Sequence, residues 1–415
     1  MVDAFGGGGP GENMSSRATR GAVPGLATVI GLSLTANQMT AVALPWLVLE
    51  RTGRALDAGL LAFCTGVALV LGGWLGGVLA DRVGAGRIAL VSDLLGALVN
   101  AAIPLLAVFD LLSFPALVLL AALGAMLDPA GVTARESMLP EAARAGGVRL
   151  EQANAWSEGA QGLAYIVGPA LGGLLIAWLG AVQVLLITAG LFLCTALGGG
   201  LIARRIAPGA RARGSASWFA GWDVLRGDRL LWAITLIGAV WMAALAPITG
   251  ILLPVLFHDT GAAEQLGWLL AAMGAGGVAG AWVYAGLPPR LGSRRILLLG
   301  LVGEVAGLVL LGLAREPILQ FCAAGLTGFA GGAIMPLINT VFQGRAPVGA
   351  LGRVLGTSTS LAMAAAPVGF LAAGWLAGLI GPRPTILVCS AVLLATFVYA
   401  VRARPLRELD APRGS

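Results

Sequence analysis

Twelve apolar runs separated by short polar breaks constrain this chain more than any other feature of its sequence. A helix needs about 20 apolar residues to cross a bilayer, and a 415-residue chain that is 58% hydrophobic and 11% charged holds enough for about twelve crossings. Soluble domains carry about 25% charged residues, so a soluble enzyme, a disordered chain and a secreted disulfide scaffold are excluded. We predict an all-α integral membrane protein with spans at residues 25–49, 58–80, 88–109, 115–137, 152–178, 181–203, 230–256, 265–287, 296–313, 318–343, 354–379 and 384–402.

The arginines divide unevenly between the two sides of these predicted spans. All 26 basic residues are arginine, and 22 of them fall on the side that holds both termini, against four on the other side. Positive residues near span ends stay cytoplasmic, so both termini are predicted to be cytoplasmic in a multi-pass protein of the cell inner membrane. This asymmetry also accounts for the net charge of +6 without a nucleic-acid partner.

Residues that carry catalytic or metal chemistry are scarce. The four cysteines lie inside apolar runs without CxxC spacing, and His258 is the single histidine. No metal site, cofactor or nucleophile–base pair is expected from this inventory. Residues 1–24 are Gly-rich and polar and lack the pattern of a signal peptide, so they are predicted to form a disordered cytoplasmic tail.

The second half of the chain repeats features of the first half. The break DRVGAGR at 81–87 is answered by PRLGSRR at 289–295, an offset of 208 residues. We therefore predict two pseudo-symmetric six-helix bundles, the organisation of transporters that rock around a midplane site. The predicted domains are bundles at 25–203 and 230–402, a cytoplasmic central loop at 204–229 and a cytoplasmic tail at 403–415.

The break after the second span carries a specific motif. It reads GVLADRVGAGR and fits the pattern G-x-L-A-D-R-x-G-x-x-R. Its glycines permit close backbone approach and a tight turn, and its acid and arginines can form charge-assisted bonds. The pattern resembles the loop 2–3 signature of the major facilitator superfamily, and the resemblance implies a cytoplasmic latch between the two bundles. The residues concerned are Gly77, Asp81, Arg82, Gly84 and Arg87.

A second pattern, GPALGG, lies in the fifth predicted span. It resembles the core of a motif associated with antiporters of this superfamily, although Ala164 replaces the motif's first glycine. Proline frees a backbone carbonyl and glycines allow close helix packing, so a sealed, kinked contact is equally compatible with it. The motif residues are Gly168, Pro169, Gly172 and Gly173.

The chain most widely resembles the drug-efflux branch that includes macrolide-efflux and enterobactin-exporter-like proteins. The resemblance lies in ALPWLVLERTGRALDAGLL from Ala43, LADRVGAGRIALVSDLLGALV from Leu79 and LDPAGVTARESMLPE from Leu127. This chain departs from the branch at Asn37, where an acid is frequent, and at Gly96, where an arginine is frequent.

Four acids lie inside the predicted spans, where ionisable groups are costly and are functional candidates. Asp93 and Asp128 lie near the cytoplasmic ends of their spans and are interpreted as a salt-bridge network near Arg82 and Arg87, with proton carriage as the alternative. Glu304 is open to either a structural or a coupling role. Glu158 is the first candidate for proton coupling.

Glu158 belongs to a polar stripe on one face of the fifth span. Residues at i, i+4, i+7 and i+11 share a helix face, and such a stripe should face a wet cavity or form an interhelical contact; the stripe is Asn154, Glu158, Gln161 and Tyr165. Further candidate cavity-lining residues are Asn37, Gln38, Thr40, Asn339, Thr340 and Gln343. Trp241, Met242, Trp268 and Met273 are candidates either for apolar solute contact or for packing.

These features predict a secondary transporter that exports a hydrophobic or amphipathic small molecule by proton antiport. No arginine lies in the middle of a predicted span, which favours neutral or cationic solutes. A siderophore or lipid transporter of the same fold is the first alternative, and an intramembrane enzyme or signalling scaffold is the second. The expected partners are the solute, protons and the bilayer, and the expected state is a monomer.

Overall fold

The protein is described by a computed structural model at residues 21–206, 221–287, 291–347 and 350–410. Within these ranges the chain is helical and twelve helices are long and apolar enough to cross a membrane, which confirms the predicted fold class. The spans are 1 (Ala22–Thr52), 2 (Ala55–Val83), 3 (Ala85–Val108), 4 (Phe114–Ser137), 5 (Leu150–Leu179), 6 (Ala181–Arg205), 7 (Arg229–His258), 8 (Ala263–Gly286), 9 (Ser293–Leu313), 10 (Pro317–Arg345), 11 (Leu351–Ile380) and 12 (Pro382–Arg402).

The bundle has two ends that the rest of the description distinguishes. Because the number of spans is even, the start of span 1 and the end of span 12 lie on the same side of the bundle. We call this side the termini face and the opposite side the far face. Several far-face turns are set by glycine. Gly53 after span 1, Gly180 after span 5 and Gly381 after span 11 have φ of +64°, +91° and +87°, a conformation that costs a residue without a Cβ little.

The structure corrects several predicted boundaries. Span 1 begins at Ala22, inside the predicted tail, and residues 1–20 lie outside the described ranges. The predicted central loop contains a short helix, Trp222–Gly227, while 207–220 lie outside the description. Another short helix, Leu139–Gly146, follows span 4, and the predicted C-terminal tail contains the 3-10 helix Pro405–Asp410.

Two spans of the second half are irregular where sequence periodicity predicts straight helices. Span 7 changes at Pro247 into a π-helical segment, Ile248–Leu252. Proline cannot donate a backbone hydrogen bond and its ring displaces the preceding turn, and π segments are a common response to such a disturbance. Span 10 is interrupted at Ala333, directly after Gly331 and Gly332.

The same pattern of helix pairs occurs among the first six spans and among the last six. Span 1 packs on 5 and 6, span 2 on 4, and span 3 on 4 and 6. Likewise span 7 packs on 11 and 12, span 8 on 10, and span 9 on 10 and 12. Each pair in the first set corresponds to the pair six spans later, as the sequence repeat of 208 residues leads one to expect.

Contacts between the first and last six spans run mainly along two seams. In one seam span 5 meets span 8, and in the other span 2 meets span 11. A Cβ built on Gly173 would lie 2.5 Å from the Cα of Gly267, and one built on Gly374 would lie 2.7 Å from the Cα of Gly59. Both contacts lie near the far face, so the backbones of the paired spans are in direct contact there, with no side chain between them.

The glycines of the two seams follow the internal repeat. A Cβ on Gly66 would meet the Pro367 ring at 3.0 Å, and a Cβ on Gly274 would meet the Tyr165 carbonyl at 2.8 Å. Small residues let membrane helices approach this closely. The glycines of span 2 recur in span 8 with an offset of 208: Gly59, Gly66 and Gly72 correspond to Gly267, Gly274 and Gly280.

Candidate functional site

A polar cluster lies between spans 1, 4 and 5, away from the far-face seams. Asn37 donates a hydrogen bond of 2.7 Å from its amide nitrogen to Asp128 Oδ1. Tyr165 is within electrostatic range of Asp128, Glu136 and Glu158. We call these five residues the acidic cluster, because three carboxyl groups lie within electrostatic range of one tyrosine.

The stripe on span 5 is exposed over much of its length. Asn154 and Glu158 are exposed, and Tyr165 is 49% exposed. Gln161 is half-buried and donates to the Ser157 hydroxyl at 3.3 Å. Spans 5 and 8 separate near the start of span 5. A Cβ on Gly162 would lie 3.8 Å from the Val278 side chain, but a Cβ on Gly159 would meet no atom within 4 Å.

Polar residues on span 10 are also exposed on the termini-face side. Asn339, Thr340 and Gln343 all lie on the helix Ile334–Arg345 and are exposed. Tyr284 of span 8 reaches the Thr340 hydroxyl at 3.5 Å, the limit of a hydrogen bond. These side chains and the exposed stripe on span 5 lie on the termini-face side of the glycine contacts, and their role in lining a cavity stays a prediction.

Asp93 forms a buried ion pair that differs from the predicted network. Its Oδ1 accepts from Arg135 Nη1 and from the Ser33 hydroxyl, each at 3.0 Å, and Asp93 and Arg135 are each 2% exposed. Asp93 thus takes part in a salt bridge, but its partner is Arg135 and not Arg82 or Arg87, which are exposed; the role of Asp93 and Asp128 in a cytoplasmic network stays a prediction. Asp128 bonds to an amide.

A second buried polar group joins spans 1, 3 and 6. The Asn100 side-chain oxygen accepts from Thr40 at 3.1 Å and from Thr188 at 3.2 Å, and its amide donates to the Gly96 carbonyl at 2.9 Å. A Cβ on Gly96 would lie 3.2 Å from the Phe192 ring. The glycine that replaces the branch's frequent arginine therefore belongs to a tightly packed helix crossing.

The GPALGG motif packs span 5 on both of its neighbours. A Cβ on Gly168 would lie 2.6 Å from Gln38 Cβ, and one on Gly172 would lie 3.3 Å from the Met39 Cα, so these two glycines accommodate span 1. Gly173 accommodates span 8 in the seam, and Pro169 is buried. The motif thus forms a sealed contact in this structure, and its link to antiport stays a prediction.

The loop 2–3 motif is described only in part. Gly77 and Asp81 lie in span 2, but their side chains fall outside the described part of the chain. Gly84 has φ of +96° and starts span 3, so the expected tight turn is present. The role of the motif as a latch stays a prediction.

Glu304 and the large apolar candidates occupy different environments. Glu304 is fully buried and accepts hydrogen bonds from the Trp241 indole. Trp268 is 51% exposed, whereas Met273 packs against the apolar core. Across the described residues, no group of three or more His, Cys, Asp or Glu side chains is arranged to hold a metal ion.

Sequence reasoning missed Glu136, Arg135 and Asn100. Glu136 is within electrostatic range of Glu158, which belongs to another span. The sequence spacing could have identified Glu136 as a neighbour of Asp128 on the same helix face, because the two are eight residues apart and positions two helical turns apart share a face. Arg135 sits at the end of the predicted span, where an arginine is expected to reach water rather than a buried acid.

Comparisons with known proteins agree with this architecture. The chain is 39% identical to the multidrug efflux pump Tap of Mycolicibacterium fortuitum over 385 residues, covering 90% of this chain and 93% of the relative. It is 27% identical to the enterobactin exporter EntS of Escherichia coli O1:K1 over 391 residues, covering 90% and 91%. A crystal structure of the nucleoside transporter NupG superposes with a TM-score of 0.74 at 12% identity, covering 92% and 100%, and so shares the fold.

These relatives confirm the resemblance to the branch of drug and enterobactin exporters. The family model of the Major Facilitator Superfamily matches residues 26–261 and 247–415, which together span both sets of six helices. The twelve spans and the repeated helix pairs are thus those of a transporter that belongs to the major facilitator superfamily.

Proposed function

We propose that this chain exports amphipathic, preferably cationic, small molecules across the cell inner membrane in exchange for protons. The observation that carries this proposal is the acidic cluster. Asp128, Glu136 and Glu158 lie within electrostatic range of Tyr165 beside the proposed cavity, and Arg135, whose charge also acts on Asp128 and Glu136, forms its ion pair with Asp93. A wall of carboxyl groups attracts cations and can bind protons. In this proposal the transporter acts as a monomer, and it catalyses no chemical reaction.

The proposed direction of transport rests on the arginine distribution. With 22 of 26 arginines on the termini side, we take the termini face as cytoplasmic. The cavity then opens to the cytoplasm, where a solute enters beside the acidic cluster. Rocking of the two sets of six spans would separate the glycine seams and open the cavity outward.

Protons supply the driving force in this mechanism. In the outward-open state a proton from outside neutralises a carboxyl group of the acidic cluster, which weakens its hold on a cationic solute and releases it. The neutral cluster costs less to carry through the apolar closed state than a charged one. Return to the cytoplasm-open state releases the proton and restores the negative wall for the next solute.

The coupling prediction concerns Glu158. In inverted vesicles that contain Glu158→Gln, proton-driven accumulation of tetraphenylphosphonium should fall to the level of uncoupler-treated wild-type vesicles. Exchange of internal for external solute should persist, because exchange requires binding and rocking but no net proton release. Glu264→Gln is the matched control, since Glu264 is an exposed acid at the far-face end of span 8.

Other outcomes would reassign the proton carrier or the substrate. If Glu158→Gln still accumulates solute while Asp128→Asn or Glu136→Gln exchanges without accumulating, the carrier is that other acid. If wild-type vesicles accumulate a siderophore but no lipophilic cation, the siderophore alternative suggested by the similarity to EntS replaces drug export.

The topology prediction tests the orientation directly. A membrane-impermeant thiol reagent added to intact cells should label Ala262→Cys, in the turn between spans 7 and 8, but not Gly147→Cys, in the turn before span 5. The four native cysteines are replaced first. Strong labelling of Gly147→Cys with none of Ala262→Cys would reverse the proposed orientation.

A further inference from the structure

Glu304 is a carboxyl group buried in the middle of span 9, far from the acidic cluster. It is 0% exposed, and it lies 11 residues from Ser293 and nine from Leu313. The indole nitrogen of Trp241, on span 7, donates to Glu304 Oε1 at 2.9 Å and to Oε2 at 2.7 Å. One indole N–H thus lies within hydrogen-bond distance of both carboxyl oxygens, a three-centre contact that a charged carboxylate can accept through both of its oxygens.

The charged residues on the elements around span 9 are engaged elsewhere. Arg345, at the end of span 10, pairs with Asp228 at 3.2 Å and with Glu408 of the 3-10 helix at 2.6 Å, at the termini face. Arg383 of span 12 donates to the Ala314 carbonyl at the far face. On span 9 itself, Arg294 donates to the Val401 carbonyl at 2.7 Å.

The remaining titratable groups near span 9 leave the indole as the partner of Glu304. The other titratable residues with described side chains on those elements and in the turn between spans 9 and 10 are Arg295, Arg315, Glu316, Cys322, Cys389, Tyr399, Arg402 and Arg407. Among the described residues, the Trp241 indole is the one side chain recorded in an interaction with Glu304. A carboxylate without a cation in an apolar bundle is costly to retain.

Glu304 also lies where the two irregular spans come together. Trp241 precedes the π-helical segment of span 7 by seven residues, and Gly331 precedes the break of span 10 by two. A Cβ on Gly331 would lie 2.5 Å from Glu304 Oε1, so this glycine leaves room for the carboxyl group. Glu304 therefore contacts span 7 through Trp241 and lies beside span 10 at Gly331, and both of these spans are irregular.

We propose that Glu304 is a second proton-binding site, separate from the acidic cluster, and that Trp241 captures its charged form when the cavity opens to the termini face. This inference rests on the proposed proton antiport. A proton adds to one Glu304 oxygen in the outward-open state, which removes the negative charge and leaves one acceptor for the indole. Loss of that proton restores the three-centre hydrogen bond from the indole to both oxygens and favours the conformation described above.

The test counts protons released when solute binds. Purified transporter in weakly buffered detergent solution is mixed with tetraphenylphosphonium, and a pH-indicator dye reports the protons released per transporter. Solute binds the cytoplasm-open state, in which Glu304 has lost its proton, so binding draws protonated transporter into that state and Glu304→Gln should release fewer protons than the wild type. Glu264→Gln, which neutralises an exposed acid of the same length, should release as many protons as the wild type.

A second variant keeps the carboxyl group and removes its donor. Trp241→Phe preserves the aromatic volume but cannot stabilise the charged form of Glu304, so its proton release should require a higher pH than that of the wild type. A purely structural role for Trp241 would change the yield of folded protein without moving this pH profile.

The outcomes separate the two proposals. If the wild type releases protons and Glu304→Gln releases the same number, this inference is overturned while antiport by the acidic cluster stands. An unchanged pH profile in Trp241→Phe also overturns it. If the wild type releases no proton at all, antiport itself is overturned, and the second proton site with it.

Discussion

Arg135→Gln should lower the free energy of unfolding of the purified protein by about 3–5 kcal/mol, the usual cost of removing one partner of a buried ion pair. The substitution leaves Asp93 charged and 2% exposed, with only the neutral hydroxyls of Ser33 and Thr195, among the described residues, as hydrogen-bond partners. Thermal denaturation in detergent, followed by loss of the monodisperse peak in size-exclusion chromatography, measures the effect. Arg87→Gln is the control, because Arg87 is exposed.

A double variant distinguishes charge from packing. Asp93→Asn with Arg135→Gln replaces the ion pair by two neutral amides that can bond to each other, so neither member of the pair stays buried as an uncompensated charge. This protein should be more stable than either single variant. If the double variant is destabilised by the sum of the two single effects, the pair contributes no coupling energy and the proposed reason is wrong.

Gly374→Ala should strongly reduce the population of the conformation that is closed at the far face. The new methyl group would lie 2.7 Å from the Gly59 Cα and 3.0 Å from the Ala55 carbonyl oxygen, and both are backbone atoms that cannot rotate away. Overpacking costs about 1–3 kcal/mol, which at about 1.4 kcal/mol per tenfold corresponds to a fivefold to more than hundredfold change in population.

The measurement is labelling of a cysteine in the cavity by an impermeant reagent added from the far face. In a cysteine-free background, Asn339→Cys should react faster when Gly374→Ala is present. Gly378→Ala is the matched control on the same span, because a Cβ at Gly378 would meet no atom within 4 Å. Equal labelling rates in the two variants would show that the glycine contact does not hold the far face closed.

The sequence predicts the spans well because lipid leaves the backbone few choices. Apolar runs must become helices whose hydrogen bonds are satisfied internally, and Arg-bearing breaks mark their ends. The irregularities of spans 7 and 10 were not predicted, since Pro45, Pro104, Pro169 and Pro367 lie inside continuous helices whereas Pro247 precedes a π-helical segment. Whether a proline interrupts its helix therefore depends on how the neighbouring helices pack against it.

The residues of the candidate site can be predicted from the sequence, but the contacts between residues on different spans cannot. Glu158 and Tyr165 were found because they share one helix face, which is a local property of span 5. Their proximity to Glu136 depends on how span 4 packs, and Asp93 meets Arg135 across 42 positions of sequence. Trp241 likewise reaches Glu304 from 63 residues away. Sequence spacing carries no signal of such long-range partners.

The paired glycine seams also determine how a hydrophobic solute can approach the proposed cavity from the lipid. Each seam brings backbone against backbone near the far face, on opposite flanks of the molecule. No gap wide enough for a drug-sized molecule separates the helices where glycine faces glycine. A compound dissolved among the lipid tails at the far face is therefore shut out at these contacts in this conformation. With the termini face cytoplasmic, as proposed above, we expect sideways entry from the inner leaflet, so such a transporter would clear its substrates from the cytoplasmic half of the bilayer before they cross it.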